Sequence, residues 1–205
     1  MKIVVINTNT SNITSVVNAF KYVGADVLVS DEAEVILRAD KAIIPGVGSF
    51  SAGYNGLVKN KLVDTIRQIA VKQEKPVLGI CLGMQMLATA SEEGGDYKGL
   101  DLIPGRVKKL KNDQPEYRIP NIGWCDVRLN RENVLINEYD KILSFYHIHS
   151  FYFDCDNNDH VVGTIIFSGK DVPVMVQRKN VFGVQFHPEK SHECGLELLS
   201  NFVKL

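Results

Sequence analysis

The feature that most restricts the fold is the alternation of short apolar runs and helix-spaced segments through the first 91 residues. Runs at 2–6, 26–29, 41–44 and 76–80 are strand-length and apolar, as expected of strands buried on both faces. Between the first two, Ile13, Val16, Val17 and Phe20 recur at a helical period over 12–23, and Gly24 can end that helix. Ser30 can cap a short helix reaching 37. A long helix is expected over 54–73, and another from 82 to about 91. Such alternation predicts a parallel sheet covered by helices on both faces. After Gly94-Gly95 the texture changes. Six strand-like runs follow, at 106–110, 124–129, 144–153, 161–168, 174–177 and 181–186, then a helix over 191–203. The expected architecture is one α/β domain over 1–205, a three-layer sandwich whose sheet is mixed and parallel at its centre.

The bulk properties exclude several functions. Lys plus Arg is 23 and Asp plus Glu is 24, so no basic surface for nucleic acid is expected. The apolar runs are too short to span a bilayer. The N-terminus enters a strand without the layout of a signal peptide, so the cytoplasm is the expected location. Cys81, Cys125, Cys155 and Cys194 lack CxxC spacing, which argues against a zinc site or a disulfide framework. His147 and His149 share one face of a strand, but no further His or Cys lies nearby in sequence, so neither metal nor cofactor is expected.

Three segments fall where parallel strands end, the position at which open α/β sheets build their sites. Gly79-Ile80-Cys81-Leu82-Gly83-Met84-Gln85 takes a buried strand directly into a helix, with the cysteine at the turn. A tight turn of this kind lifts a nucleophile above the sheet edge, and a helix N-terminus favours a thiolate. A buried cysteine in a glycine-rich corner fits this segment alone equally well. Gly183-Val184-Gln185-Phe186-His187-Pro188-Glu189 places a carboxylate two residues from a histidine, close enough to fix its tautomer. By itself it is more often a structural histidine. Pro45-Gly46-Val47-Gly48-Ser49-Phe50 can turn backbone N–H groups toward an oxyanion, or can simply be a tight turn.

Taken together, the PGxG turn, the GxCxGxQ corner and the late His-x-Glu resemble the class I glutamine amidotransferases. The resemblance implies a flavodoxin-like core and a triad of Cys81 as nucleophile, His187 as base and Glu189 as the residue that orients it. It implies an oxyanion hole at Val47, Gly48 and Leu82, and contacts to glutamine from Gln85, Glu93, His149 and Ser150. Pro-Gly-Val-Gly-Ser-Phe is similar to one branch, the glutaminase subunit of imidazole glycerol phosphate synthase. So are the stretches 92–107, 118–124 and 183–191. That branch hydrolyses glutamine to glutamate and ammonia, and passes the ammonia to a cyclase subunit with a (β/α)8 barrel. By the same resemblance Tyr146, Ile122 and Trp124 face the barrel, although a core position suits Trp124 equally. A paralogous branch feeds a sugar amidotransferase in bacterial surface-glycan synthesis, and a non-catalytic binding module on this fold is a further alternative. Retention of Cys81, His187 and Glu189 speaks against the last.

The chain departs from the branch in three places. The loop after the first strand reads Asn7-Thr8-Asn9-Thr10-Ser11-Asn12, Cys125 follows Trp124 where Asn is usual, and His147 stands in an otherwise aromatic-Val-His-Ser block. These departures are expected at or near the partner face and away from the triad.

Overall fold

A computed structural model of the chain describes residues 1–8, 13–136 and 143–205. The alternating half comprises β1 (Ile3–Ile6), α1 (Ile13–Tyr22), β2 (Val27–Ser30), α2 (Ala33–Arg38), β3 (Lys41–Gly46), α3 (Phe50–Lys59), α4 (Leu62–Arg67), β4 (Val77–Cys81) and α5 (Leu82–Met86). The second half adds β5 (Ala90–Ser91), β6 (Tyr97–Lys98), β7 (Gly105–Lys109), β8 (Asn121–Leu129) and β9 (Leu143–His149). It continues through β10 (Phe151–Cys155), β11 (Val161–Phe167), β12 (Lys170–Arg178) and β13 (Val181–Val184) to α6 (His192–Lys204). Asn12, the expected start of the first helix, and most of the divergent loop after β1 lie outside the described residues.

Among the described residues, nine strands form one sheet in the order β2-β1-β3-β4-β13-β12-β11-β8-β9. The strands from β2 to β13 are parallel and the rest antiparallel, so the mixed sheet is parallel up to its middle strand. Period-two alternation divides the parallel strands between two cores. Ile3, Val5, Ile43, Leu78 and Ile80 pack beneath α1 and α6 on one face. Val4, Ile6, Ala42, Ile44 and Val77 pack on the other face with α2 to α5. A second sheet, β10-β7-β5-β6, adds Val107 and Phe153 to this latter core. The buried Lys41 side chain sits at the end of α6, where its Nζ donates to the carbonyls of Phe202 and Val203. Those carbonyls have no partner within the helix, so the lysine satisfies them and is itself satisfied.

Three expected elements take a different form. The helix over 54–73 begins earlier, at Phe50, where Ser49 Oγ accepts from the Ala52 N–H. It breaks at Lys61, whose φ is +57°, and ends in a wider turn, Gln68–Lys72. Leu57, Leu62 and Ile66 are all buried. The five-residue step from Leu57 to Leu62 is out of phase with a straight helix, and the break brings both side chains to the core. The helix expected to reach 91 stops at Met86, because Ala90 and Ser91 are drawn into pairing with β6 and β7. The run 144–153 is two strands in two sheets, parting at Ser150.

The corner between β4 and α5 is packed backbone against backbone. A Cβ on Gly83 would stand 1.7 Å from the Ile44 carbonyl oxygen, and one on Gly79 would stand 2.6 Å from the Gly83 carbonyl oxygen. No side-chain rotation can relieve either contact. Gly83→Ala is therefore expected to cost about 3 kcal/mol or more. Urea unfolding would measure it; a midpoint equal to wild type would show that the corner can relax.

Candidate active site

The sheet register assembles the site. Gly46 of β3 lies opposite Cys81 of β4, and Val184 of β13 lies opposite Ile80. Continuing β13 by one residue brings Gln185 level with Cys81, and His187 two residues further on. Cys81 has φ +54° and ψ −110°, a conformation costly for any residue with a side chain. It is the sharp turn that ends β4 and starts α5 without a linking loop. The flanking glycines permit it, since Gly46, Gly79 and Gly83 each sit where a Cβ would collide.

The side chains of His187 and Glu189 are both 3% exposed and joined by a 2.8 Å bond between Nδ1 and Oε1. The segment that carries them is pinned to β9. His187 N–H donates to the Tyr146 carbonyl, and Ser191 Oγ accepts from Tyr146 N–H while donating to the His187 carbonyl. With Nδ1 tied to the carboxylate, Nε2 is buried and free of any settled hydrogen bond among the described residues. Burial works to lower the affinity of this ring for a proton. The sulfur of Cys81 and the carboxylate of Glu189 outweigh it and raise the His187 pKa to about 10. An imidazolium held between a sulfur and a carboxylate is the arrangement that activates a cysteine nucleophile.

A cavity of about 350 Å³ opens over Cys81, a volume suited to a small molecule. Of the expected site residues, it is lined by Cys81, His187, Val47, Gly48, Leu82, Gln85, Glu93, His149 and Ser150. Glu189 lies behind His187. Gly48 has φ +94° and open space around its Cα, so its glycine serves backbone conformation rather than packing. Glu93 has a partner in the protein: its Oε2 accepts the Phe50 N–H at 2.8 Å, tying the carboxylate to the start of α3 just beyond the Val47–Gly48 turn. The Ser150 carbonyl is occupied by the Leu110 N–H. Phe151 and Lys190 also line the cavity, and neither was singled out in the sequence. Gln185 was also missed. A glutamine inside the apolar run Val184–Phe186 was the available signal, since a buried polar side chain needs a partner.

The three residues expected at a partner face lie outside the cavity. Ile122 is paired with Ile148 and Trp124 with Tyr146 across β8 and β9, with Ile122 58% and Trp124 48% exposed. Trp124 is thus not a core residue. Its ring stacks on His192 at 5.0 Å and meets Tyr146 edge-on.

Two of the divergent positions, expected at or near that face, lie beneath it. His147 is fully buried and Cys125 half-buried. The Phe151 carbonyl oxygen can only accept, so His149 Nδ1, 2.8 Å away, must carry the proton and leave Nε2 as acceptor. His147 Nδ1 then donates to that Nε2 at 3.3 Å, and Asn121, which also touches Cys125, reaches it at 3.4 Å. Among the described residues no three His, Cys, Asp or Glu side chains are placed to hold a metal ion. Burial, with the neighbouring His149 and His187, lowers the His147 pKa to about 3. Burial and His187, opposed by the Phe151 carbonyl, lower that of His149 to about 4.

Both rings are therefore neutral in the fold and take up protons on unfolding. The stability this gives is complete above the ordinary value of 6.5 and is lost as pH falls toward about 4 and about 3. His147→Phe is expected to show a smaller fall in melting temperature than wild type between about pH 7.5 and about pH 5. An equal fall would remove His147 from the acid limb.

Comparison with known proteins places the chain in a family. The family model for "Glutamine amidotransferase class-I" matches residues 4–205. The chain is 43% identical over 200 residues to an imidazole glycerol phosphate synthase subunit HisH from Bacillus cereus, covering 98% of this chain and 93% of that one. It is 40% identical to the subunit of the same name from Chlorobaculum tepidum, covering 94% of each chain. It is 38% identical to a HisH 2 from Nitrobacter winogradskyi, covering 99% and 98%. Among solved structures, a glutamine amidotransferase superposes with a TM-score of 0.72 at 16% identity, covering 98% of both chains. PurLQS from Thermotoga maritima gives 0.72 at 19% identity, covering 99% of this chain and 97% of that one. At these identities the solved structures speak to the fold alone. With the fold and the family model in agreement over nearly every residue, the chain belongs to the class I glutamine amidotransferases.

Proposed function

We propose that this chain is the glutaminase subunit of an imidazole glycerol phosphate synthase, working in the cytoplasm beside a (β/α)8 barrel cyclase. The observation that carries the chemistry is the line from Glu189 through His187 to Cys81 at the floor of one cavity. The assignment of pathway rests on relatives of 38% to 43% identity over nearly the whole chain.

In this reading the Cys81 thiolate attacks the side-chain amide carbon of glutamine. The oxygen of that amide gains charge, which backbone N–H groups of Leu82 and of the Val47–Gly48 turn receive. His187, protonated beforehand, gives its proton to the departing nitrogen as the C–N bond breaks, and ammonia leaves. The glutamyl thioester is then attacked by water from which the His187 imidazole takes a proton. The C–S bond breaks, releasing glutamate and restoring the thiolate–imidazolium pair. Glu189 keeps Nδ1 protonated throughout, so that Nε2 is the atom that works. Gln85, Glu93 and the backbone at His149–Ser150 hold the amino-acid end of the substrate. The outward ladder of exposed Ile122, Ile148 and Trp124 with half-buried Tyr146 is the docking face for the barrel. Exposed aromatic and branched side chains grouped in this way are suited to burial against a partner.

Cys81→Ser is expected to reduce glutamate release by at least about a thousandfold while leaving the melting temperature near that of wild type. Trp124→Ala is expected to weaken association with the cyclase by about 2 kcal/mol, roughly thirtyfold. The test of pathway is glutamate release by the complex with and without the phosphoribosyl substrate of the barrel subunit. Stimulation by that substrate supports the assignment. An indifferent rate, with the complex intact, would overturn the assignment to an imidazole glycerol phosphate synthase and leave the Cys81 chemistry in place.

A further inference from the structure

We infer that Gln185 is a positioning residue that holds the sulfur of Cys81 in its anionic form, through a chain of amides whose direction is fixed by the backbone carbonyl of Phe151. The inference rests on the reading of Cys81 as nucleophile and assigns a function to a residue which that reading leaves idle.

Gln185 is 0% exposed and stands in an apolar strand extension between Val184 and Phe186, both equally buried. Burying an amide there is costly unless both of its ends are satisfied. One end meets Gln85, whose Nε2 is 2.9 Å from Gln185 Oε1. The other end reaches the nucleophile, with Gln185 Nε2 3.7 Å from Cys81 Sγ. An amide can be built either way round, so the polarity of this pair has to come from a group that cannot reverse. The Phe151 carbonyl is that group. It only accepts, and Gln85 Nε2 lies 3.3 Å from it. The Gln85 amide must therefore turn its NH2 toward Phe151, and the second hydrogen of the same NH2 points at Gln185. Gln185 must answer with its oxygen, which leaves its own NH2 facing the sulfur. A reversed Gln185 would set NH2 against NH2 at one end and a carbonyl oxygen against sulfur at the other.

A donor fixed on sulfur favours S⁻ over S–H, because the anion is the stronger acceptor and the thiol proton would have to compete for the same space. The imidazolium of His187 supplies charge to the pair, and Gln185 supplies a neutral donor 3.7 Å from the sulfur. Strand order is the reason it can. The parallel pairing of β13 with β4 sets Gln185 abreast of Cys81, while His187 lies two residues further along the same segment. The Phe151 carbonyl also accepts from His149 Nδ1, so one backbone oxygen orients both the His149–His147 pair and the Gln85–Gln185 pair.

The test uses the full-length chain without glutamine and reads the sulfur directly. Alkylation of Cys81 by iodoacetamide, followed by peptide mass spectrometry, and the thiolate absorbance near 240 nm are measured at neutral pH, with Cys81→Ser as the blank. In Gln185→Met, which keeps the volume and removes the donor, alkylation is expected to slow about tenfold with a matching loss of the thiolate band. Gln85→Glu is the second arm. A carboxylate at 85 cannot donate, so the Gln185 amide turns round and the same loss is expected, although residue 85 makes no hydrogen bond to the sulfur. Wild-type alkylation and absorbance in both variants, each folded by circular dichroism, would overturn the proposal. If Gln185→Met fails to fold, Gln85→Glu decides alone by the same criterion. Glutamate release retained by Cys81→Ser would instead overturn the nucleophile reading, and the proposal with it.

Discussion

The structure turns on the close approach of two backbones at the corner between β4 and α5. With no Cβ on Gly83, the first turn of α5 lies directly against the end of β3, and the Ile44 carbonyl occupies the space a side chain would take. That contact lets β4 pass into a helix at a single strained residue, Cys81, without an intervening loop. Strain at one residue is tolerable when neighbouring packing leaves the chain no other path. Here the packing comes from both sides, with Gly46 on β3 and the extension of β13 abreast of the cysteine. A cysteine that is 7% exposed and yet at the floor of an open cavity is the outcome.

A second constraint is the parting of strands at Ser150. β9 belongs to the large sheet and β10 to the small one, and the chain crosses between them in one residue. The crossing points the Phe151 carbonyl inward, where it accepts from two side chains, His149 and Gln85. Acceptor-only groups are the fixed points in a network of reversible amides and imidazoles, because they settle which way every other member faces. The hydrogen-bonded chain of Cys125, Asn121, His149 and His147 starts from the same oxygen. Its two divergent members therefore connect to the site through hydrogen bonds beneath the proposed docking face. The surface of that face is formed by Ile122, Trp124, Tyr146 and Ile148, which the alternation of β8 and β9 turns outward.

Local pattern carried much of this in advance. Short apolar runs alternating with helix-spaced segments announced the parallel strands, and the glycines around Cys81 announced the sharp corner, since both are properties of a few adjacent residues. The His187–Glu189 bond was legible because two residues on one short segment can meet only in a few ways. Helix ends were less legible. The stop at Met86 comes from the pairing of Ala90 with β6 and β7, and the break at Lys61 from the need to bury both Leu57 and Leu62. Both are decided by neighbours distant in sequence.

The sequence by itself determined the strand–helix order of the first half, the cysteine at the turn, the histidine–carboxylate pair and the family. These are written in contiguous motifs whose geometry is local. Only the tertiary structure decided that β13 inserts beside β4, so that residues 81 and 187 share one cavity, and that Gln185 lies against the sulfur. It also decided that His147 is buried and neutral while Trp124 is exposed. The physical reason is that burial, proton affinity and hydrogen-bond direction depend on what other strands bring alongside a residue, and strand order is not encoded in any one segment.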